Sequence, residues 1–334
     1  MPDTLTSLPS PTVADVQQAA ARIAPVVVRT PLLESPLLND RLGGRLLVKA
    51  EALQKTGSFK FRGAYNTVRQ IADSGGRAVV AYSSGNHAQG VAAAARLCGI
   101  EATIVMPSDA PAIKLANTRA WGADVVPYAR GREDRAAIGA RVAAEKDATL
   151  VPPYDDPRVI AGQGTVGLEI IQQCADLGVV PDAVLVCCGG GGLTAGTALA
   201  IQDAWPSVAV YAVEPTAHDD HVRSLAAGHP VGPSAQAPTI CDALVPPMPG
   251  DFTFAVNKRL LSGALTVDDD VVLGTMATAF ETLKLVMEPG GAVATAAALS
   301  GACPIAGRTV VAVNSGGNVD ADIFARALTR GPLV

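Results

Sequence analysis

The sequence predicts an α/β protein with two open parallel-sheet domains, the smaller one inserted into the larger one. Short β-rich apolar runs alternate with helical patterns along most of the 334 residues, which is typical of parallel sheets covered on both faces. Alanine, valine and glycine are abundant and aromatic residues are few, as in tightly packed α/β layers. A chain of this length can bury two cores. Because no linker separates them, we expect an insertion.

The elements follow in chain order. After a flexible start, the residues from Ser10 to Thr12 open a helix that runs to about Ile23, with a proline early, as helix starts prefer. Ser58 is a good N-cap for a helix over residues 59–71. Strands are expected at 46–50, 78–82, 102–106, 124–127, 183–188, 208–213 and 309–314. Helices are expected at 86–98, 111–121, 132–146, 159–175, 193–205 and 269–286. We therefore predict a large domain of residues 1–78 and 151–334 and a small mobile domain of residues 79–150.

Composition excludes several classes of protein. The net charge is −5 and no basic cluster occurs, which argues against nucleic acid or an anionic membrane as a partner. Two long uncharged windows, 183–201 and 290–307, are broken by glycines and are not expected to span a membrane. No secretory signal opens the chain, and the six cysteines form no C-x-x-C pair. We expect a reduced, cytoplasmic protein.

Lys60 occupies an unusual place for a lysine. It falls in the first turn of the helix predicted after Ser58, where the positive end of the helix dipole disfavours a cation. The same field lowers the ammonium pKa, and a neutral amine is the form that makes an imine with a carbonyl. A lone lysine is more often a surface residue, so the interpretation depends on the rest of the chain.

Two polar turns follow predicted strands. The run from Ser83 to Gly90 can expose backbone N–H groups to an anion such as a carboxylate. The run from Asn314 to Asn318 presents the hydroxyl of Ser315 at the carboxyl end of a strand, where open α/β sheets bind ligands. Either run alone could be an ordinary turn.

Four consecutive glycines, Gly189–Gly192, follow another predicted strand. Their backbone amides can turn around a phosphate at the start of the next helix. The same run satisfies a nicotinamide-binding fingerprint, with Ala195 in its third position and Glu214 near the expected ribose contact. Both ligands remain open on this motif alone.

Taken together, five motifs resemble the fold type II pyridoxal 5'-phosphate (PLP) enzymes, specifically the serine/threonine dehydratase and serine racemase family. The resemblance extends from about residue 12 to residue 328. The five motifs are Gly57-Ser58-Phe59-Lys60-Phe61-Arg62-Gly63-Ala64, Ser83-Ser84-Gly85-Asn86-His87-Ala88-Gln89-Gly90, Ala161-Gly162-Gln163-Gly164-Thr165, Gly189-Gly190-Gly191-Gly192 and Ser315-Gly316-Gly317-Asn318. The resemblance implies a tryptophan synthase β-like fold and a homodimer.

The resemblance also assigns cofactor contacts. It places the PLP-binding residues at Phe59, Lys60, Asn86, Gly189, Gly190, Gly191, Gly192, Leu193 and Ser315. Lys60 would hold PLP as an imine and then act as the base at Cα. Ser315 would face the pyridine nitrogen, and a hydroxyl, unlike an aspartate, gives no charge that keeps a proton there. The weaker electron sink favours loss of a β-hydroxyl over transamination.

Substrate contacts are implied in the same way. Ser83 and Asn86 would bind the substrate carboxylate. Ser84 stands where many threonine dehydratases have alanine, and its hydroxyl would be the second acid/base that racemization needs. Arg135 could pair with a distal carboxylate, as in 3-hydroxyaspartate, or be an exposed helix arginine. Ala243 replaces a glycine that is usual in the family, so substrate preference depends on a changed loop.

The segment from Glu214 to Asp220 looks like the divalent-cation loop of the serine racemase branch. Carried over by position, Glu214 and Asp220 would supply carboxylates and His218 its backbone carbonyl. Oxygen ligands suit Mg²⁺ or Ca²⁺, with Mn²⁺ as a further candidate. A solvated acidic helix start, or zinc bound by side chains, is the alternative.

These observations predict a PLP-dependent ammonia-lyase that converts small 3-hydroxy-α-amino acids, L-serine or L-threonine by default, to a 2-oxo acid and ammonia. Hydroxyaspartate dehydration and serine racemization are the related alternatives. A nicotinamide dehydrogenase would leave Lys60 and Ser315 unexplained, and a catalytically silent amino-acid-binding protein would not need the lysine.

Overall fold

The computed structural model describes residues 9–83, 85–110, 112–235 and 237–334. The strands in this part of the chain belong to two sheets. They are β1 (Leu32–Leu33), β2 (Arg45–Ala50), β3 (Ala78–Tyr82), β4 (Glu101–Pro107), β5 (Asp124–Tyr128), β6 (Thr149–Leu150), β7 (Ala183–Cys187), β8 (Ala209–Pro215), β9 (Gly263–Val267) and β10 (Thr309–Asn314). The predicted strands are therefore found within a residue or two of their expected ends.

Helices cover the sheets. Those described are α1 (Val13–Ile23), α2 (Pro36–Leu42), α3 (Lys60–Asp73), α4 (Asn86–Cys98), α5 (Ala112–Ala120), α6 (Arg135–Glu145), α7 (Pro157–Asp176), α8 (Gly192–Ala204), α9 (Asp220–Ala227), α10 (Asp251–Leu260), α11 (Asp269–Leu283), α12 (Pro289–Leu299) and α13 (Ala321–Arg330). Thr12 caps α1 by accepting the backbone N–H of Asp15, so the predicted first helix is confirmed. None of the described helices has both the length and the apolar character that crossing a bilayer requires.

The two sheets have the parallel topology that the sequence predicts. The larger sheet has the order β1-β2-β10-β7-β8-β9, and the smaller has the order β5-β4-β3-β6. Within both sheets every pairing is parallel except that of β1 with β2. All strands of the smaller sheet lie between residues 78 and 150. The exact division into domains remains a prediction.

The core lies on both faces of the larger sheet. Alternate residues of β10 point to opposite sides, so Val310 packs with the residues of α12 while Val311 packs with those of α7 and α8. Helices α7 and α8 approach closely, since a Cβ atom on Gly164 would overlap the carbonyl oxygen of Gly196, and a Cβ atom on Gly162 would overlap that of Arg62 in α3. The glycines of the 161–165 motif therefore serve helix packing.

One expectation about local structure is wrong. Ser58 does not cap α3: the N-cap position is Phe59, in helical conformation and without a side-chain cap. Ser58 is fully buried and forms an isolated antiparallel β-bridge with Gly316 instead. Pairing with this distant loop outweighs the local capping preference of serine, and it ties the start of α3 to the loop that carries Ser315.

The register of the larger sheet determines where the site forms. Strand β10 lies between β2 and β7, with Asn314 opposite Ala50 and Val313 opposite Val186. The loops that follow these three strands therefore leave the same edge of the sheet side by side. Those loops carry Lys60, the four glycines and Ser315.

Candidate active site

An open cleft lies at the carboxyl ends of the strands. It collects residues from the loops after β2, β3, β7 and β10, which are distant in sequence. The predicted site residues that line it are Phe59, Lys60, Ser83, Asn86, Arg135, Gly189, Gly190, Gly191, Gly192, Leu193 and Ser315. Ser84 lies outside the described residues. The structure thus brings together nearly all of the residues that were predicted to bind cofactor or substrate.

Lys60 is half-buried at the first position of α3. Its Nζ atom donates a hydrogen bond to the carbonyl oxygen of Pro153 at 2.7 Å and lies 5.1 Å from the centre of the Phe59 ring. Desolvation lowers the pKa of Lys60 to about 8, against the opposing effect of the Glu288 charge. About a tenth of the Lys60 side chains are therefore neutral amines at pH 7, a far larger share than for an exposed lysine.

The four glycines form a backbone cradle at the start of α8. Gly191 has a φ of +90°, a conformation that favours glycine. A Cβ atom on Gly190 would overlap the ring of Tyr154. The side-chain oxygen and nitrogen of Gln163 and the hydroxyl of Thr194 are buried without a hydrogen-bond partner among the described residues. Free backbone donors at a helix start, with unpartnered polar atoms nearby, fit a phosphate group.

Asn86 joins two sides of the cleft. Its Nδ2 atom donates to Oε1 of Glu288 at 2.6 Å, and its Oδ1 atom accepts from Nδ2 of Asn318 at 2.7 Å. The hydroxyl of the neighbouring Ser83 accepts the N–H of Gly85 at 3.2 Å. The start of α4 is thereby held against the loop after β10 and the start of α12.

A backbone hydrogen bond joins Phe59 and Ser315. The N–H of Phe59 donates to the carbonyl of Ser315 at 3.0 Å. Ser315 is nearly buried, with 5% of its surface exposed, and both residues line the cleft. An aromatic ring and a hydroxyl therefore occupy defined places beside Lys60, as expected for a pocket that holds a flat ring.

Arg135 begins α6 and also reaches the cleft. Its guanidinium carbon lies 5.7 Å from the centre of the Tyr82 ring, a distance at which a cation and an aromatic face attract each other. The residue is partly buried rather than fully exposed. A cation at this edge can pair with a second acidic group of a bound molecule.

The predicted cation loop follows β8. Glu214, Asp220 and His221 are buried, and their side-chain ligand atoms all lie within 4.8 Å of one another. Glu214 accepts the N–H groups of His221 and Val222, and burial raises the pKa of its carboxyl group. The ring of His218 contacts the carbonyl of Ala237 instead. Since Glu214 is enclosed, it is not placed to contact a nucleotide ribose in the cleft.

Several residues that line the cleft were not predicted as site residues, among them Tyr154, Gln163 and Glu288. Glu288 directly precedes Pro289, the first residue of α12. A proline at the first helical position is a recognisable signal of a helix start, and Glu288 occupies the N-cap position before it without a side-chain cap. Gln163 belonged to a motif that was already singled out, whereas nothing in the local sequence marks Tyr154.

These features define the class of the protein. The family of pyridoxal-phosphate-dependent enzymes matches residues 23–316, so the chain belongs to that family. The cradle, the half-buried lysine and the unpartnered polar atoms fit PLP. The predictions of the family, of the fold and of PLP as the cofactor are confirmed, and the roles of individual residues remain predictions.

Individual members of the family are similar to this chain over almost its whole length. The chain is 42% identical to the L-threo-3-hydroxyaspartate ammonia-lyase of Saccharomyces cerevisiae, covering 96% of this chain and 97% of that protein. It is 37% identical to the serine racemase of Schizosaccharomyces pombe, with coverage of 96% and 98%. A solved T.th. threonine deaminase is 44% identical and superposes with a TM-score of 0.87 over 93% of this chain and 99% of that one. The predicted ammonia-lyase class agrees with these names.

Proposed function

We propose that the protein is a PLP-dependent ammonia-lyase that acts on small 3-hydroxy-α-amino acids. The observation that carries this proposal is the position of Lys60, whose amine, with a pKa of about 8, faces the same cleft as the glycine cradle. The products would be a 2-oxo acid and ammonia. L-Serine and L-threonine are the default substrates.

The cofactor would be held by the residues already described around the cleft. Backbone N–H groups of Gly189–Gly192 and Leu193 would bind the phosphate, Phe59 would pack on the ring, and Asn86 and Ser315 would contact its polar atoms. When bound, PLP would supply the electron sink that acidifies the hydrogen on the substrate Cα.

The side chains of the protein would then move protons and position the substrate. Ser83 and Asn86 would hold the α-carboxylate, which orients the Cα–H bond towards Lys60. The amine of Lys60 would accept that proton, and the bond from Cβ to the hydroxyl group would break as water leaves. Hydrolysis of the released enamine would give the 2-oxo acid and ammonia.

A second candidate activity is the dehydration of 3-hydroxyaspartate. It is supported by the position of Arg135 at the cleft and by the names of two relatives that are each 42% identical. The guanidinium would bind the β-carboxylate through two hydrogen bonds. Arg135→Ala should then reduce activity on hydroxyaspartate far more than activity on serine. Equal losses of the two activities would show that Arg135 does not bind a second carboxylate of the substrate.

Serine racemization is the third candidate. It needs an acid/base on each face of the substrate, and Ser84 would be the partner of Lys60. Ser84→Ala should abolish D-serine formation while sparing pyruvate release, and equal loss of both activities would contradict this role.

We further propose that Glu214, Asp220 and the backbone carbonyl of His218 hold a divalent cation, Mg²⁺, Ca²⁺ or Mn²⁺.

A cytoplasmic homodimer is also proposed, with amino-acid substrates and neither nucleic acid nor a membrane as a partner. Movement of residues 79–150 would close the cleft over the substrate.

The proposal is tested with purified protein supplied with PLP. We expect an imine absorbance band that borohydride removes, an adduct on Lys60 by mass spectrometry, and release of ammonia and 2-oxo acid from at least one substrate. The panel comprises L-serine, D-serine, L-threonine and the hydroxyaspartate isomers. A colourless protein without an adduct on Lys60 would exclude the function.

A further inference from the structure

Arg135 carries a positive charge that none of the described residues neutralises. Its guanidinium makes no ion pair and no hydrogen bond within the described ranges, although the residue is partly buried and lines the cleft. The two acidic residues before it are engaged elsewhere, since the carboxylate of Asp134 caps the start of α6 and that of Glu133 accepts the N–H of Ala129. Arg141 of the same helix, by contrast, pairs with a glutamate one turn further on.

Two tyrosines that line the cleft with Arg135 do not supply a negative charge. Burial raises the pKa of Tyr82 and raises that of Tyr154 to about 12, so both hydroxyl groups are neutral near neutral pH. Asp155, next to Tyr154 in the sequence, directs its carboxylate to backbone N–H groups at the start of α10. The guanidinium therefore keeps an unmatched charge at the cleft.

Tyr82 holds Arg135 from the side of the smaller sheet. It is the last residue of β3, and the guanidinium carbon of Arg135 lies over its ring, 5.7 Å from the ring centre. Gly139 lies one turn after Arg135 on the same face of α6. A Cβ atom on Gly139 would lie 3.0 Å from Cδ1 of Tyr82. The absence of a side chain there lets α6 pack closely against the ring and brings Arg135 over it.

We propose that Tyr82 is a positioning residue, whose ring holds the guanidinium of Arg135 where it binds the second carboxylate of a dicarboxylic substrate such as 3-hydroxyaspartate. The face of an aromatic ring attracts a cation without using its N–H groups. The donors of Arg135 therefore stay available for two parallel hydrogen bonds to a carboxylate. This inference rests on the proposed function and deepens its hydroxyaspartate alternative.

Binding of two four-carbon acids to the PLP-loaded full-length protein tests the inference without turnover. Succinate has the carbon skeleton of hydroxyaspartate and two carboxylates, whereas butyrate has one, and neither has an amino group that could react. We expect the wild type to bind succinate at least about tenfold more tightly than butyrate, as measured by calorimetry, because the pair with Arg135 is charged and bidentate.

Replacing Tyr82 should reduce this preference for succinate. In Tyr82→Leu the ratio of the two dissociation constants should fall about five- to tenfold, which is the size of effect expected for a cation over an aromatic face. Tyr82→Phe keeps the face and should keep the preference. In protein that already carries Arg135→Ala, Tyr82→Leu should cause no further loss, because the ring acts through the guanidinium.

Tyr128→Leu is the matched control. Tyr128 is the last residue of β5, as Tyr82 is of β3, and both belong to the same apolar cluster of the smaller sheet. Tyr128 is not among the described residues that line the cleft. The control change should therefore leave the preference for succinate as it is in the wild type.

Steady-state kinetics provide a second readout. In Tyr82→Leu the KM for hydroxyaspartate should rise about five- to tenfold more than the KM for L-serine, and the kcat for hydroxyaspartate should change less than its KM. A ring that served only to pack the small domain would alter both substrates alike.

Four results would overturn the inference: equal binding of the two acids by the wild type, an unchanged preference in Tyr82→Leu, a lost preference in Tyr82→Phe, or a lost preference in Tyr128→Leu. The first needs no variant and the third removes one hydroxyl group, so they hold even if Tyr82→Leu folds poorly. The adduct on Lys60 and ammonia release from L-serine are measured separately on the wild type. Failure of the role of Tyr82 is therefore distinguishable from failure of the proposed function.

Discussion

Lys49 is buried in β2, whereas Lys60 is half-buried at the start of α3, and the surroundings of the two lysines differ. Lys49 has no exposed surface, and its Nζ atom donates to Thr30 O at 2.7 Å, to Gln173 Oε1 at 2.9 Å and to Glu169. Lys60 donates to the carbonyl of Pro153 and otherwise faces the cleft. The first ammonium is fully coordinated, whereas the second can exchange its partner for a ligand.

The charges around the two lysines differ as well. Lys49 belongs to a balanced cluster in which Arg62 and Lys49 face the carboxylates of Glu51 and Glu169. Burial lowers the pKa of Lys49, but these carboxylates oppose the change. Around Lys60 the effect of burial is larger than that of Glu288. A balanced set of buried charges thus indicates structure, and an incompletely paired one indicates a reactive site.

Replacing Lys60 should have the largest effect on activity. Lys60→Ala removes both the amine that attaches PLP and the proposed base at Cα, so ammonia release should fall by about 10³-fold or more. The unfolding free energy should change by only about 1 kcal/mol, because few contacts are lost. The measurements are steady-state ammonia release and denaturant unfolding. Activity that stays within tenfold of the wild type would contradict the assigned role.

Replacing Lys49 should have the opposite outcome. Lys49→Met leaves Glu169 and Glu51 with one cation between them, which should cost about 3–5 kcal/mol of unfolding free energy. Ammonia release per folded molecule should stay within a few-fold of the wild type, since Lys49 does not line the cleft. Denaturant unfolding of the two lysine variants side by side provides the control. A loss of activity without a loss of stability would remove the distinction between the two lysines.

The pKa of Lys60 also predicts a pH dependence. The ammonium form predominates below a pKa of about 8 and cannot attack the aldehyde of PLP. The rate of PLP attachment to the cofactor-free protein should therefore fall about tenfold per pH unit below the pKa and level off above it. Stopped-flow absorbance of the imine band measures this rate. A plateau reached only near pH 10 would show an unperturbed lysine.

Much of this arrangement could be predicted from the sequence. The strand β3 has its expected ends, and the loops that carry Lys60, Gly191 and Ser315 meet because parallel strands end at one edge. These features depend on local patterns. The pairing of Ser58 with Gly316 could not be foreseen, since it joins segments far apart in sequence. The same holds for the contact between the side chains of His221 and Asn257.

Replacing Glu288 should have the smallest of the expected effects, a shift in the pKa of Lys60. Its charge raises the pKa of Lys60 against the larger effect of burial, so the two effects can be separated by removing the charge alone. Glu288→Gln does this with little change in shape, since a glutamine oxygen can still accept the hydrogen bond from Asn86. The pKa of Lys60 should then fall further.

The midpoint of PLP attachment should accordingly move to lower pH by a fraction of a unit in Glu288→Gln. Glu281→Gln, the same change at an exposed position of α11, is the matched control and should leave the midpoint where it is. A midpoint that moves to higher pH would mean that the Glu288 charge does not act on Lys60 as described. An unchanged midpoint would mean that burial alone sets the pKa, and Lys60 would then differ from Lys49 in having no carboxylate that supports its charged form.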